Sequence, residues 1–366
     1  MALYGIKLLL LQSYKFNQIK KTMTKSKSIK VVQFLHSGKE YKLSEAEKEA
    51  KRKFWNTGDH KRKFLHAKGA YVDEGKIIGN ENNWEDIYFW GEWEPESIVP
   101  NINKHGEDAP PHFIHEPFLR LNESKQLIKG DKKSIAKNTD PFVFGDKGFF
   151  YSCCKQNRKY KDKIYSTQMQ YLKQGSIILF GSRIKDQETG DPYFALDTVF
   201  VVENELEYYK NTDLSDLQKF GPKHYCDIMN YASSENNSNR SCNGNEQKDC
   251  NGLNCSSNKS EPEGCEKGPK FTCYRGASID NRVNGMYSFV PCKIKLEDEN
   301  IFERVMLSDK DFPFISNNLS QGVKYTEVTL EESFDIWNKL REIIHEDKEQ
   351  GFKEAVRLNY TEKEEE

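Results

Sequence analysis

Three dense apolar runs lie between residues 140 and 202 of a chain that is otherwise polar and rich in lysine: 141–152 (PFVFGDKGFFYS), 175–181 (GSIILFG) and 193–202 (YFALDTVFVV). Each is short, set off by glycine or polar turns and enriched in Phe, Val and Ile, which predicts strands. A second compact signal at 84–95 holds three of the five tryptophans. Within it, residues 86–93 read as a strand between a polar turn at 79–83 and Pro95. A further strand is predicted at 29–35 (IKVVQFL), and two more at 271–276 and 285–291, joined by a turn.

Helical signals are fewer. Ser44 and Glu47 make a capping-box pattern that predicts a helix over 45–54. A short helix is predicted at 168–172, ahead of the Gly175 turn. Thr329 and Glu332 form a second capping pattern, and Leu330, Phe334, Trp337, Leu340 and Ile344 then recur every three or four residues, so an amphipathic helix packs one stripe on the sheet. Residues 101–117, with Pro110, Pro111 and three histidines (His105, His112, His115), read as a surface loop, and the charged tail at 361–366 as solvated. The Asn/Ser/Glu/Lys/Gly/Cys composition of 233–268 offers almost no apolar surface to offset the entropy of ordering, and predicts disorder.

These elements divide the chain into a poorly ordered extension (1–22), a β-rich core domain with an N-terminal helix (23–232), a disordered low-complexity insertion (233–268), and a stretch (269–360) whose strands complete the core and whose helix covers it. The expected fold class is α+β: a strongly bent mixed sheet or small β-barrel flanked by helices.

Composition narrows the partners. The 366 residues carry 55 Lys+Arg against 57 Asp+Glu, a net charge of −2, so bulk charge draws the chain to neither nucleic acid nor membrane, and any anionic partner needs a local patch. The apolar run near the start, Leu8 to Leu11, is interrupted upstream by Lys7 and too short to span a bilayer. No membrane partner and a cytoplasmic setting are expected. Nine cysteines, five of them at 242, 250, 255, 265 and 273, match no paired zinc spacing, so they read as reduced thiols with no metal. Cys153 and Cys154 are expected on opposite faces of a strand end. No phosphate-binding loop, dinucleotide fingerprint, zinc-protease helix or nucleophile elbow occurs, and no cofactor is expected.

The candidate chemistry is local. Lys51, Arg52, Lys61 and Arg62, with Lys48, Lys53 and Lys63 beside Phe54 and Trp55, read either as a solvated face or as a phosphate-contacting patch. Strand alternation places Trp90, Glu92 and Glu94 on one face and Trp93 on the other. The glutamates could be an acid/base pair, the tryptophans a stacking wall, or both sets structural. Asp197 sits in an apolar strand, where a charge needs a partner such as Arg183 or a pocket. Tyr151 at a strand end and Arg275 as an anion clamp complete the candidate set.

The central block, with Phe149 to Ser152, the Gly175-Ser-Ile-Ile-Leu-Phe180 strand and the strand at 194–202, resembles the small barrels of the PUA, ASCH and EVE group. The similarity covers roughly 84–203, and it implies a barrel that reads RNA or modified bases. The leading functional expectation is therefore a module binding a nucleotide, RNA or DNA. The alternatives are an enzyme acting on a nucleotide-like substrate through Glu92, Glu94 or Asp197, and a structural or interaction protein.

Overall fold

The computed structural model describes residues 26–55, 61–100, 111–128, 139–161, 163–185, 189–209, 215–222, 224–234, 269–295, 304–319, 322–346 and 351–364. The extension at 1–22, His105, Cys242, Cys250, Cys255, Cys265 and all of the expected insertion beyond residue 234 fall outside these ranges. Strands are numbered β1 to β18 along the chain. One sheet contains β1 (Lys30–His36), β8 (Phe150–Tyr151), β11 (Ile177–Lys185), β12 (Pro192–Tyr209), β13 (Lys270–Gly276), β15 (Val305–Leu307) and β16 (Gly322–Glu327). Its order is β16-β1-β11-β12-β13-β8, with β15 beside β12; β1 and β11 are parallel and their neighbours antiparallel.

The second sheet holds β2 (Arg52–Lys53), β3 (Lys63–Asp73), β4 (Lys76–Ile78), β5 (Glu85–Gly91), β6 (Ser97–Ile98), β7 (Ile114–Leu121), β14 (Val290–Cys292), β17 (Lys353–Asn359) and β18 (Thr361–Glu364). Its path is β14-β17-β3-β7-β6-β2, with β4 and β5 also on β3 and β18 on β7. The remaining pair, β9 (Asn157–Tyr160) and β10 (Lys163–Ser166), is a hairpin that joins neither sheet. The molecule is thus α+β and mostly sheet, and among the described residues neither sheet closes into a barrel.

The central strands β1 and β11 are buried on two faces, which explains their uninterrupted apolar runs. Val32, Phe34, Ile178 and Phe180 enter one cluster together with Leu65, Ala67 and Phe89 of the second sheet. Their strand neighbours Val31, Leu35, Ile177 and Leu179 enter the other cluster with Phe64, Val72 and Trp90. Gly181, expected as an edge turn, lies inside β11 at a bulge between Phe180 and Gly181. A Cβ there would stand 2.2 Å from the Ala195 carbonyl oxygen, so only glycine lets β12 approach.

Four α-helices occur among the described residues, α1 (Glu45–Glu49), α2 (Ser215–Phe220), α3 (Tyr225–Ser234) and α4 (Leu330–Glu346), and a 3-10 turn at Gln168–Gln170 stands where a short helix is predicted. The capping box of α1 forms as predicted, Glu47 N donating to Ser44 Oγ and Ser44 N to the Glu47 carboxylate. The helix nevertheless ends at Glu49 rather than 54. Lys51 takes a left-handed φ of 46° and Arg52–Lys53 continue as β2, because pairing with β6 satisfies their backbone groups where a helix end would leave them open. Trp337, Leu340 and Ile344 of α4 are buried on the second cluster, with Trp337 Nε1 donating to the Tyr287 carbonyl at 3.0 Å; Leu330 at the first turn is exposed.

Other expectations are corrected by long-range pairing. Residues 114–117 belong to β7 and not to a loop; Pro117 sits opposite Ser97 of the two-residue β6. The segment 361–364 runs parallel to β7, with Thr361, Glu362 and Lys363 still exposed. Ser233 and Ser234, assigned to the insertion, finish α3.

Candidate functional site

The segment leaving β5, Trp90-Gly-Glu-Trp-Glu-Pro-Glu96, spans the gap to β6 and carries three glutamates two residues apart, each almost fully buried. Buried carboxylates need partners, and each glutamate has its own basic set. Glu92 Oε2 accepts from Arg62 Nη1 at 3.0 Å and lies 3.4 Å from His36 Nδ1, while Glu92 Oε1 accepts from Asp140 N at 3.3 Å. Glu96 is held by Arg52 and, at 3.3 Å, by Arg120. Glu94 lies beside the buried Lys53 and Lys63.

Arg62 extends the network across the molecule. Its Nε stands 3.1 Å from Asp197 Oδ2 on β12, so one guanidinium ties the loop after β5 to the other sheet. Arg304 takes the second Asp197 oxygen, donates to Ser182 Oγ at 2.9 Å, and lays its guanidinium 5.3 Å from the Trp90 ring. Trp90, Glu92, Asp197 and Arg62 therefore converge, as a cluster no part of which is more than slightly exposed. The partner of Asp197 is not Arg183 but the pair Arg62 and Arg304.

On the other side of β3, Lys53 Nζ donates to the carbonyls of Glu94 (2.6 Å) and Pro95 (3.2 Å), and Lys63 Nζ donates to the Trp93 carbonyl. Both ammonium groups stand near the Tyr41 ring, at 5.3 and 4.9 Å. Burial, then mutual repulsion, pushes Lys53 well below the ordinary lysine range, and burial lowers Lys63. Burial together with these two cations lowers His115 well below its ordinary value; its Nδ1 is 2.9 Å from Ser97 Oγ.

The remaining candidates are elsewhere. Trp93 is a core side chain packed on Phe142, Phe144 and Tyr360, its Nε1 donating to the Glu96 carbonyl at 2.7 Å. Tyr151 packs on Phe34, Phe180 and Tyr274, and its hydroxyl donates to the Cys154 carbonyl at 2.5 Å. Arg275 is clamped to Glu203 through two bonds of 2.9 Å, beside a cleft of about 380 Å³ lined by Lys173, Gln174, Val202, Glu203, Asn204 and Glu205. The basic group at 51–62 is split: Arg62 turns inward, Arg52 covers Phe54 and Phe118 at 5.4 Å each, Lys51 points out and Lys61 is half-buried.

One surface went unread in the sequence. The β9–β10 hairpin carries Arg158, Lys159, Lys161 and Lys163, and Tyr160 is 63% exposed, Ile164 41% and Tyr165 41%. Its register sets Tyr165 opposite Arg158 and Lys163 opposite Tyr160, so one face alternates cation and aromatic ring. Lys161 Nζ lies 5.8 Å from the Tyr160 ring. The base is anchored by Asn157 Nδ2 and Gln170 Nε2, which donate to the Lys270 carbonyl at 2.9 Å each. The signal was present as a Lys/Arg-rich heptamer, 155–161.

No family model matches the chain, and neither a curated protein nor a solved structure matches it.

Proposed function

We propose that this protein binds nucleic acid, and that the β9–β10 hairpin is the element that docks. The observation that carries the reading is the pairing of exposed tyrosines with cations on one face of a ribbon that neither sheet covers. Tyrosine rings stack on bases of any sequence, and lysine and arginine between them neutralise phosphates. A two-stranded ribbon also has the width of a duplex major groove. Stacking is assigned here to Tyr160 and Tyr165 in place of Trp90 and Trp93, whose rings are buried.

The buried network around Trp90–Glu96 supports a different task. Glu92, Glu96 and Asp197 are each paired with a guanidinium, and Arg62 links the two sheets. It holds the fold in register around the site rather than meeting the partner. A second reading, acid–base chemistry on a nucleotide-like substrate at Glu92 and Asp197, draws on their convergence around Arg62.

Fluorescence anisotropy with labelled single- and double-stranded RNA and DNA, titrated from low to high salt, tests the proposal. Binding at low salt that weakens linearly in log salt, and that Tyr160→Ala with Tyr165→Ala reduces about 5-fold or more, is the expected result. Absence of binding to all four probes at low salt, or binding indifferent to the hairpin, overturns it.

A further inference from the structure

The chain turns sharply after β8: Cys153 and Cys154 sit in a bend followed by Lys155 at φ 61°. Strand alternation, which would send the two thiols to opposite faces, does not apply there. Their Sγ atoms are 3.9 Å apart, both residues half-buried. Two thiolates on one tetrahedral zinc, each about 2.3 Å from the metal, stand about 3.8 Å from each other. The turn thus already holds the sulfurs at the spacing a single ion requires.

A third donor lies beside them. A carboxylate oxygen of the fully buried Asp140 and the two sulfurs all fall within 4.8 Å of one another. The carboxylate is fixed by the same turn: Oδ1 accepts from Ser152 N, and Oδ2 from Cys153 N and Cys154 N, each at 2.9 Å. Backbone amides take three of its roughly four lone-pair positions, and the remaining one, which the Cys153 thiol reaches, becomes free for a ligand bond when that thiol gives up its proton. The Tyr151 hydroxyl bonded to the Cys154 carbonyl steadies the backbone from below. A rigid second layer of this kind orients metal ligands.

The geometry points to a site for a thiophilic divalent cation, zinc or a similar ion, held by Cys153, Cys154 and Asp140 with one position open. Binding replaces two S–H bonds with two metal–sulfur bonds and releases two protons to solvent. The charge of the ion offsets the buried carboxylate, whose hydrogen bonds among the described residues come from neutral backbone amides and the Cys153 thiol. The site lies three residues before β9, so its occupancy stiffens the root of the hairpin; the metal assignment itself does not depend on what the hairpin binds.

The test uses the full chain, reduced and freed of metal, titrated with Co²⁺. Wild type is expected to take up one more equivalent than the Cys153→Ser/Cys154→Ser variant, which keeps the other seven of the nine cysteines, and to show a thiolate-to-cobalt charge-transfer band that the variant lacks. Equal stoichiometry and equal bands in the two proteins overturn the proposal. Independently of how the variant folds, Zn²⁺ is expected to protect Cys153 and Cys154 of wild type from alkylation, read by peptide mass spectrometry. Equal alkylation with and without Zn²⁺ overturns it as well.

Discussion

Replacing Arg62 with methionine isolates the link between the sheets. Methionine keeps much of the buried volume and removes the guanidinium. Arg62 is 1% exposed, donates to Glu92 at 3.0 Å and forms an ion pair with Asp197 at 3.1 Å, so its loss withdraws one cation from two buried anions. Neither is stripped bare: Glu92 retains His36 and the Asp140 amide, and Asp197 retains Arg304. Breaking a buried pair from one side costs about 3–5 kcal/mol, and that range applies here. Against a typical total of about 5–15 kcal/mol, the variant keeps a fraction of its stability. Urea unfolding followed by tryptophan fluorescence is the assay, with a midpoint expected to fall by on the order of 1 M at an unchanged slope. Adding Glu92→Gln and Asp197→Asn to Arg62→Met removes the orphaned charges and is expected to recover part of the loss. A single-variant loss below about 1 kcal/mol, or a triple variant no better than the sum of its parts, refutes the claim that the network couples the sheets.

Changing Arg158, Lys159, Lys161 and Lys163 together to glutamine is expected to reduce the salt slope of nucleic-acid binding by up to about 3.6 on duplex DNA and about 2.8 on single strands, with thermal stability unchanged because the residues are exposed; an unchanged slope counts against the hairpin. Gly181→Ala drives a methyl into the Ala195 carbonyl and is expected to cost about 1–3 kcal/mol, measured by denaturant unfolding. Burial pushes Asp140 up to about 6, above the ordinary carboxylate range. The folded chain therefore holds a proton that the unfolded chain has released, and this group's contribution to stability falls as pH rises from about 4 to about 6, by about 3 kcal/mol at most. In the metal-free protein, the unfolding free energy of wild type should fall relative to that of Asp140→Asn as pH rises across that window.

Much of the local structure was legible in the residues. The apolar runs at 175–181 and 193–202 are strands, both capping boxes form, and the stripe through Trp337, Leu340 and Ile344 packs on the core, because periodicity and capping are short-range properties. β3 was passed over: its alternation begins at Lys63, inside a cluster of lysines and arginines that reads as surface. Arg62 and Lys63 look solvated in one dimension and are buried in three, since the acidic partners that make burial tolerable come from 30 to 135 residues away.

The sequence alone determined that the chain is α+β, where the central strands of the first sheet lie, and that Asp197 is an unusual residue for its surroundings. Tertiary structure decided what it pairs with. Charges can be buried only where opposite charges meet them, and that meeting depends on how β3, β12 and the loop after β5 are brought together. It also decided that Cys153 and Cys154 share one side of a turn, and that the hairpin stands outside both sheets with its rings uncovered. Pairing across large separations sets both outcomes, and no local pattern of residue types encodes it.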